Sequence, residues 1–191
     1  MLIDRSREKL INAVIFFANN VNFCGKVKLF KLLYFLDFQH FKETGRSVTN
    51  LDYYAWQMGP VPVQLYEEIE KPLPDLNKAV SIENKPLSDG VMTLFKPKVE
   101  FSKGCFSKRE LKIMTTLVEK HKNSKADEMI EATHLEKEPW HQIYEVEGRK
   151  LALIPYELAL RPDQLDLMKE IIAERQEILI NYSDSRNHTP R

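Results

Sequence analysis

Little in this sequence points to a reaction. Only two cysteines occur in 191 residues, Cys24 and Cys105, and they form no Cys-x-x-Cys pair. The N-terminus, MLIDRSREKL, is charged where a secretory leader needs an apolar stretch. A cytoplasmic protein with reduced thiols is therefore expected. The longest apolar stretches, such as Ala13–Ala18, fall far short of the ~20 residues of a membrane-spanning helix. An excess of one charge is also missing. The 28 basic side chains meet 28 acidic ones, which argues against a dedicated nucleic-acid binder. No GxxxxGK[ST], GxGxxG, HExxH or GxSxG motif occurs. The five histidines, His40, His121, His134, His141 and His188, form no recognisable ligand cluster, so neither a metal nor a cofactor is expected.

What is present is the composition of a soluble globular protein, 43% hydrophobic and 29% charged. The pattern predicts a mainly α fold: a multi-helix domain over residues 1–182 around a central buried helix, with a small β-hairpin or short strands. A first helix runs to about Asn20, capped by Asp4 or Ser6, with Leu10, Val14, Phe17 and Val21 on its inner stripe. The centrepiece runs from about Lys26 to Glu43 and ends at Gly45. Its apolar residues cover most of its circumference, leaving Lys28, Lys31, Gln39 and Lys42 as a narrow polar strip, so neighbours should surround it. Residues 51–57 (LDYYAWQ) read as a short strand, and Pro60 as the start of a third helix reaching Glu70.

Four prolines exclude a long helix from residues 71–104, an irregular insert with Val91–Phe95 and Ala79–Ile82 as edge strands. Helices follow at Ser107–Lys120, where Ser107 and Glu110 suit a capping box, at Lys125–Ala132, capped by Ser124, and at Pro139–Glu145. Ile154-Pro155-Tyr156 is an extended connector. A final helix spans residues 162–182, with Leu165, Met168, Ile172, Leu179 and Tyr182 inward and Arg175 interrupting the series. Residues 183–191 read as a polar, disordered tail.

Three groups of residues invite a role. Asp37 and His40, one turn apart on the central helix, read as a buried polar pair that fixes helix packing, and not as an acid–base couple. Tyr53, Trp56 and Tyr66 belong to an aromatic patch suited to a partner protein; Tyr54 and Trp56 share one strand face, and Tyr53 and Ala55 the other. Thr133-His134 and Pro139-Trp140 mark a helix–loop–helix corner, with Trp140 plugging the core or joining a ligand site.

In order, the segments KLFKLLYFLDFQHFKETGR, YYAWQMGPVPVQLYEEI and ATHLEKEPW resemble the Panacea domain, the SocA-like and prophage GepA-like module of bacterial and phage antitoxins. The matching elements are Lys31-Leu32-Leu33-Tyr34 with Gly45, then Trp56 with Gly59-Pro60-Val61 and Tyr66, then Thr133-His134 with Pro139-Trp140. Here the turn reads GPVPV, and four residues separate Thr133-His134 from Pro139-Trp140. The resemblance covers roughly residues 27–144 and leaves the final helix outside. It implies a mainly helical antitoxin that neutralises a toxin encoded by an adjacent gene, usually through direct binding. No enzyme is expected, given the missing motifs, and the partner surface is expected on the aromatic strand face and corner, with Tyr53, Trp56, Tyr66, Thr133, His134 and Trp140, on residues 71–104, or on the final helix. Self-association stays open. A DNA-binding regulator and a protease adaptor are the alternatives.

Overall fold

A computed structural model of the chain describes residues 5–87, 90–135 and 138–187. Among them are eight α-helices and two antiparallel strand pairs, so the fold is mainly α. Helix α1 (Ser6–Asn20) begins after Arg5 with no side-chain cap; Ser6 is its first residue, and Asp4 lies outside the described residues. Leu10, Val14, Phe17 and Val21 are all buried.

Helix α2 (Lys26–Thr44) is enclosed on nearly every side, with twelve of its residues buried. It stops at Gly45, whose positive φ of 68° lets its amide donate to the Phe41 carbonyl at 2.8 Å. The polar strip expected on α2 is divided: Gln39 and Lys42 are exposed, whereas Lys28 and Lys31 are buried to 1% exposure.

Strands β1 (Tyr54–Trp56) and β2 (Gly59–Val61) form a hairpin around Gln57 and Met58, with Ala55 opposite Pro60. Pro60 therefore belongs to a strand, and helix α3 (Val63–Glu70) starts three residues later than expected. Gly59 takes a φ of +92° at the turn. Residues 151–154, of which only Ile154 was expected in an extended connector, pair with the other edge of β1. The Leu151 amide donates to Ala55, the Ala55 amide to Ala152 and the Ile154 amide to Tyr53, at 2.8–2.9 Å.

The region of four prolines holds a short helix α4 (Pro74–Ala79) and a longer hairpin than expected, β3 (Val80–Leu87) with β4 (Gly90–Pro97). Pro97 ends the ladder and Pro86 lies near its tip, at positions where a missing amide costs little.

Helix α5 (Lys108–His121) opens with the expected capping box, and its Glu110 also takes a 2.6 Å hydrogen bond from Lys9. Helix α6 (Ala126–His134) starts after Lys125, so Ser124 is not its cap. Helix α7 (Pro139–His141) is one turn and widens into a π-turn over Gln142–Val146.

Helix α8 (Pro162–Asn187) runs five residues beyond the expected end, into the segment read as a disordered tail. Met168, Leu165 and Ile172 pack it on Phe41 and Tyr156. The side chains of Arg175, Leu179 and Tyr182 lie outside the described residues. No described helix is long and apolar enough to cross a membrane.

Candidate functional site

Three short segments, distant in the chain, converge on Lys31. Its ammonium donates to the Pro60 carbonyl at 2.9 Å, inside the fold. A Cβ placed on Gly59 would lie 2.7 Å from Lys31 Nζ and 2.6 Å from Thr133 Oγ1, so the β1–β2 turn, α2 and α6 meet within one side chain's width. Thr133 is buried at the end of α6, its hydroxyl returned to the Ile130 carbonyl at 2.8 Å. Burial pulls the Lys31 amine down to about 7, because nothing acidic accompanies it.

Gly59→Ala should therefore destabilise the fold by about 3 kcal/mol, combining a strained positive φ with backbone displacement against two fixed groups. A urea midpoint measures this directly, and an unchanged midpoint would mean the turn is free to move.

Trp140 completes the corner. Its indole Nε1 donates to the Trp56 carbonyl at 2.8 Å. Its ring stacks on His134, centroids 3.7 Å apart, and on Tyr144 at 4.6 Å. The His134 Nε2 is buried without a hydrogen-bond partner among the described residues, and burial lowers its pKa, next aided by Lys31, so the imidazole is neutral at pH 7. The Tyr34 hydroxyl lies buried beside the Trp140 backbone amide.

The polar residues of α2 are the second feature. Asp37 and His40 are both buried, as expected of packing residues, but they do not pair. Asp37 accepts from the backbone amides of Val48 (2.7 Å) and Thr49 (2.8 Å), from the Thr49 hydroxyl, and from Tyr53 Oη (2.7 Å). His40 Nδ1 lies 2.7 Å from the Arg46 carbonyl, and Nε2 faces Glu110 at 3.9 Å. Burial lowers the His40 pKa. Both polar groups thus anchor the one loop that follows α2, His40 at Arg46 and Asp37 at Val48 and Thr49. Lys28 does the same at the other end, donating to the carbonyls of Asn22 (2.8 Å), Lys122 (3.2 Å) and Ser124 (2.7 Å).

Of the residues expected at a partner surface, Tyr53 and Thr133 are wholly buried and Trp140 is 1% exposed. The reason for Tyr53 is the strand alternation: it points inward to Asp37, while Tyr54 and Trp56 face out. Trp56, Tyr66 and His134 are half-buried. Trp56 leans on Tyr66 (5.1 Å between centroids), and Lys26 sits over the Tyr66 ring at 4.5 Å. Lys28, Lys31 and Thr49 were not foreseen as site residues; for Lys31, its place in the KLLY motif was the available signal.

A cleft of about 600 Å³ opens beside Phe23, Lys26, Val91 and Met92, and one of about 730 Å³ over Tyr34, Phe35 and Phe38. Neither is lined by Lys31. Among the described residues no group of three His, Cys, Asp or Glu side chains is placed to hold a metal. What the Lys31 cluster does is tie three segments together and fix the direction of β1.

No curated protein and no solved structure matches the chain. The family described as antitoxin SocA-like, Panacea domain, matches residues 29–141. That span is more than half of the chain and contains Lys31, Tyr34, Trp56, Gly59, Pro60, Thr133 and Trp140, the residues that meet in space. The chain belongs to the SocA-like Panacea-domain antitoxin family.

Proposed function

We propose that this chain is the antitoxin of a bacterial or phage toxin–antitoxin pair and that it neutralises a toxin encoded beside it by binding that protein directly. Membership of the family carries the reading. The interior supports it, since the motif residues are spent on holding three segments in register. The partner surface runs through Trp56, Tyr66 and His134, which keep exposed area. Tyr53, Thr133 and Trp140 serve that surface from beneath by fixing β1. Nanomolar affinity is the natural range for such a pair.

The test is growth of bacteria in which the neighbouring reading frame is induced alone and then together with this chain. Arrest relieved by co-expression, with co-elution of the two purified proteins, is the expected result. Arrest without relief would overturn the reading and favour a DNA-binding regulator, whose promoter complex would weaken steeply with salt.

A further inference from the structure

The cleft of about 730 Å³ lies along α2, between α5, the end of α6 and the start of α8. That volume suits a small organic molecule. Its floor is buried: Tyr34 and Phe38 from α2 and Leu117 and His121 from α5 are none more than 6% exposed. Phe35 and His121 lie parallel, 3° apart with centroids at 5.6 Å, and give the cleft a flat aromatic wall. Burial, aided by Lys120 and Lys28, brings the His121 pKa down to about 4, so the wall is uncharged at pH 7. One polar group of the floor is not used by the fold. Tyr34 is 1% exposed, yet its hydroxyl has no hydrogen-bond partner among the described residues, although it lies beside the Trp140 amide and near the Glu138 carboxylate of the cleft wall. Buried hydroxyls are nearly always paired, and a phenylalanine would pack here without the cost of an orphaned donor. The hydroxyl therefore points to a ligand that brings an acceptor.

The charged side chains that line the cleft are Lys42, Glu43, Lys120, Glu138 and Arg161. Helix α5 runs antiparallel to α2, with His121 against Phe35 and Arg109 against Glu43, and Leu160 packs on Phe41. The Tyr34 end therefore holds Lys120 and Glu138, one charge of each sign, and the other end holds Lys42, Glu43 and Arg161. There Glu43 is engaged by Arg109 and Arg161 by Asp163, both at 3.5 Å, whereas Lys42 has no acidic partner among the described residues. Phe35 and Lys42 lie two turns apart on one side of α2, about 10 Å along its axis. We propose that the cleft is a small-molecule site for an organic anion. A flat ring sits at Phe35 and His121, where it accepts from Tyr34 Oη, and a phosphate or carboxylate sits about 10 Å away at Lys42. The assignment stands whether or not the chain neutralises a toxin.

The experiment titrates the full chain by calorimetry with adenosine monophosphate and with 4-(indol-3-yl)butyrate, which separate phosphate from carboxylate. Each is run beside its uncharged counterpart, adenosine or indole. Saturable one-to-one binding of at least one anion is expected, with its counterpart at least about tenfold weaker. Tyr34→Phe should melt no lower than the wild type, since its hydroxyl leaves no partner behind, and should bind at least about tenfold more weakly. Lys42→Ala should weaken the anion by a similar factor and leave the uncharged counterpart unchanged. Lys112→Ala, at an exposed lysine of α5 outside the cleft, should change nothing.

No saturable binding of either anion below about 1 mM overturns the assignment. So does binding that Tyr34→Phe leaves intact, or melting of Tyr34→Phe below the wild type, which would show the hydroxyl bonded within the fold. Equal weakening by Lys112→Ala and Lys42→Ala would reveal charge attraction without a site and overturns it as well. If the purified product of the adjacent reading frame binds and Tyr34→Phe abolishes that binding, the cleft is a protein interface and the small-molecule role falls. Failure of that product to bind the wild type would sink the antitoxin reading alone.

Discussion

Asp37→Ala should lower the folding free energy by about 4 kcal/mol. The carboxylate gathers four donors, two of them backbone amides that have no other acceptor. Removing it orphans those amides in the core, at roughly 1–3 kcal/mol per buried donor. For a chain of this size the melting temperature would fall by about 10 °C. Burial raises the pKa of the Asp37 carboxyl, while the donors from Thr49, Tyr53 and Val48 pull it back.

Asp37→Asn should cost about half as much as the alanine change. Its amide oxygen keeps the two backbone donors, and the Thr49 and Tyr53 hydroxyls can rotate to accept from the new NH₂. At temperatures where it is folded, the asparagine variant should behave as the wild type does in the co-expression test. Urea midpoints of the three proteins decide the matter, and an alanine variant within about 0.5 kcal/mol of wild type would show that the loop after α2 does not depend on this carboxylate.

Lys31→Met should abolish a rise in stability with pH. In the unfolded chain the lysine amine keeps its ordinary value near 10.4; in the fold, burial lowers it to about 7. Between those values the unfolded chain binds a proton that the folded chain does not, so the folded state gains as pH rises from about 7 and levels off near 10. The whole span is on the order of 4 kcal/mol. The methionine variant should lose that contribution and keep only the opposing slopes of Lys28, lowered by burial, and of the Cys24 thiol, pushed up to about 12, at a cost of about 1 kcal/mol for the unpaired Pro60 carbonyl. Unfolding is best followed from pH 7 to about 9.5, below the range in which tyrosines ionise in the unfolded chain. A wild type without the slope, or a variant that keeps it, would mean that the ammonium finds solvent.

The parts of this fold that could be read in advance are those governed by local rules. The enclosure of α2 followed from apolar residues around most of its turn, its end from Gly45, and the start of α5 from Ser107 and Glu110. The burial of Lys28 and Lys31 was invisible to the same reasoning, because periodicity classes every lysine as surface. Their acceptors, the carbonyls of Pro60, Lys122 and Ser124, become neighbours only once the chain has folded. Phe35, sitting within the supposed polar strip, was the one local sign that this side was covered.

The pairing of residues 151–154 with β1 was missed for a related reason. Leu151–Ile154 is too short to show alternation, and what recruits it is the free edge of β1. At the site, the motif residues were found, but their direction was not. Tyr53 and Trp56 are both aromatic residues of one strand segment, and only the Asp37 contact decides which of them turns inward.

The three carbonyls that receive Lys28 also set a clock. Asn22 precedes it, but Ser124 follows it by 96 residues. At roughly 5–20 residues per second on the ribosome, the last acceptor emerges about 5–20 seconds after the lysine does. The Trp140 contact to Trp56 spans 84 residues, and that of Tyr156 to Leu51 spans 105. Helix α2 must therefore wait, with the Lys28 ammonium short of two of its three acceptors, until the C-terminal half has been made, whereas Lys31 meets Pro60 only 29 residues on. Translation of the message and availability of a working protein are separated by that lag. A transcript cut short before residue 124 would release a chain whose central helix cannot be finished, and not a smaller version of the same device.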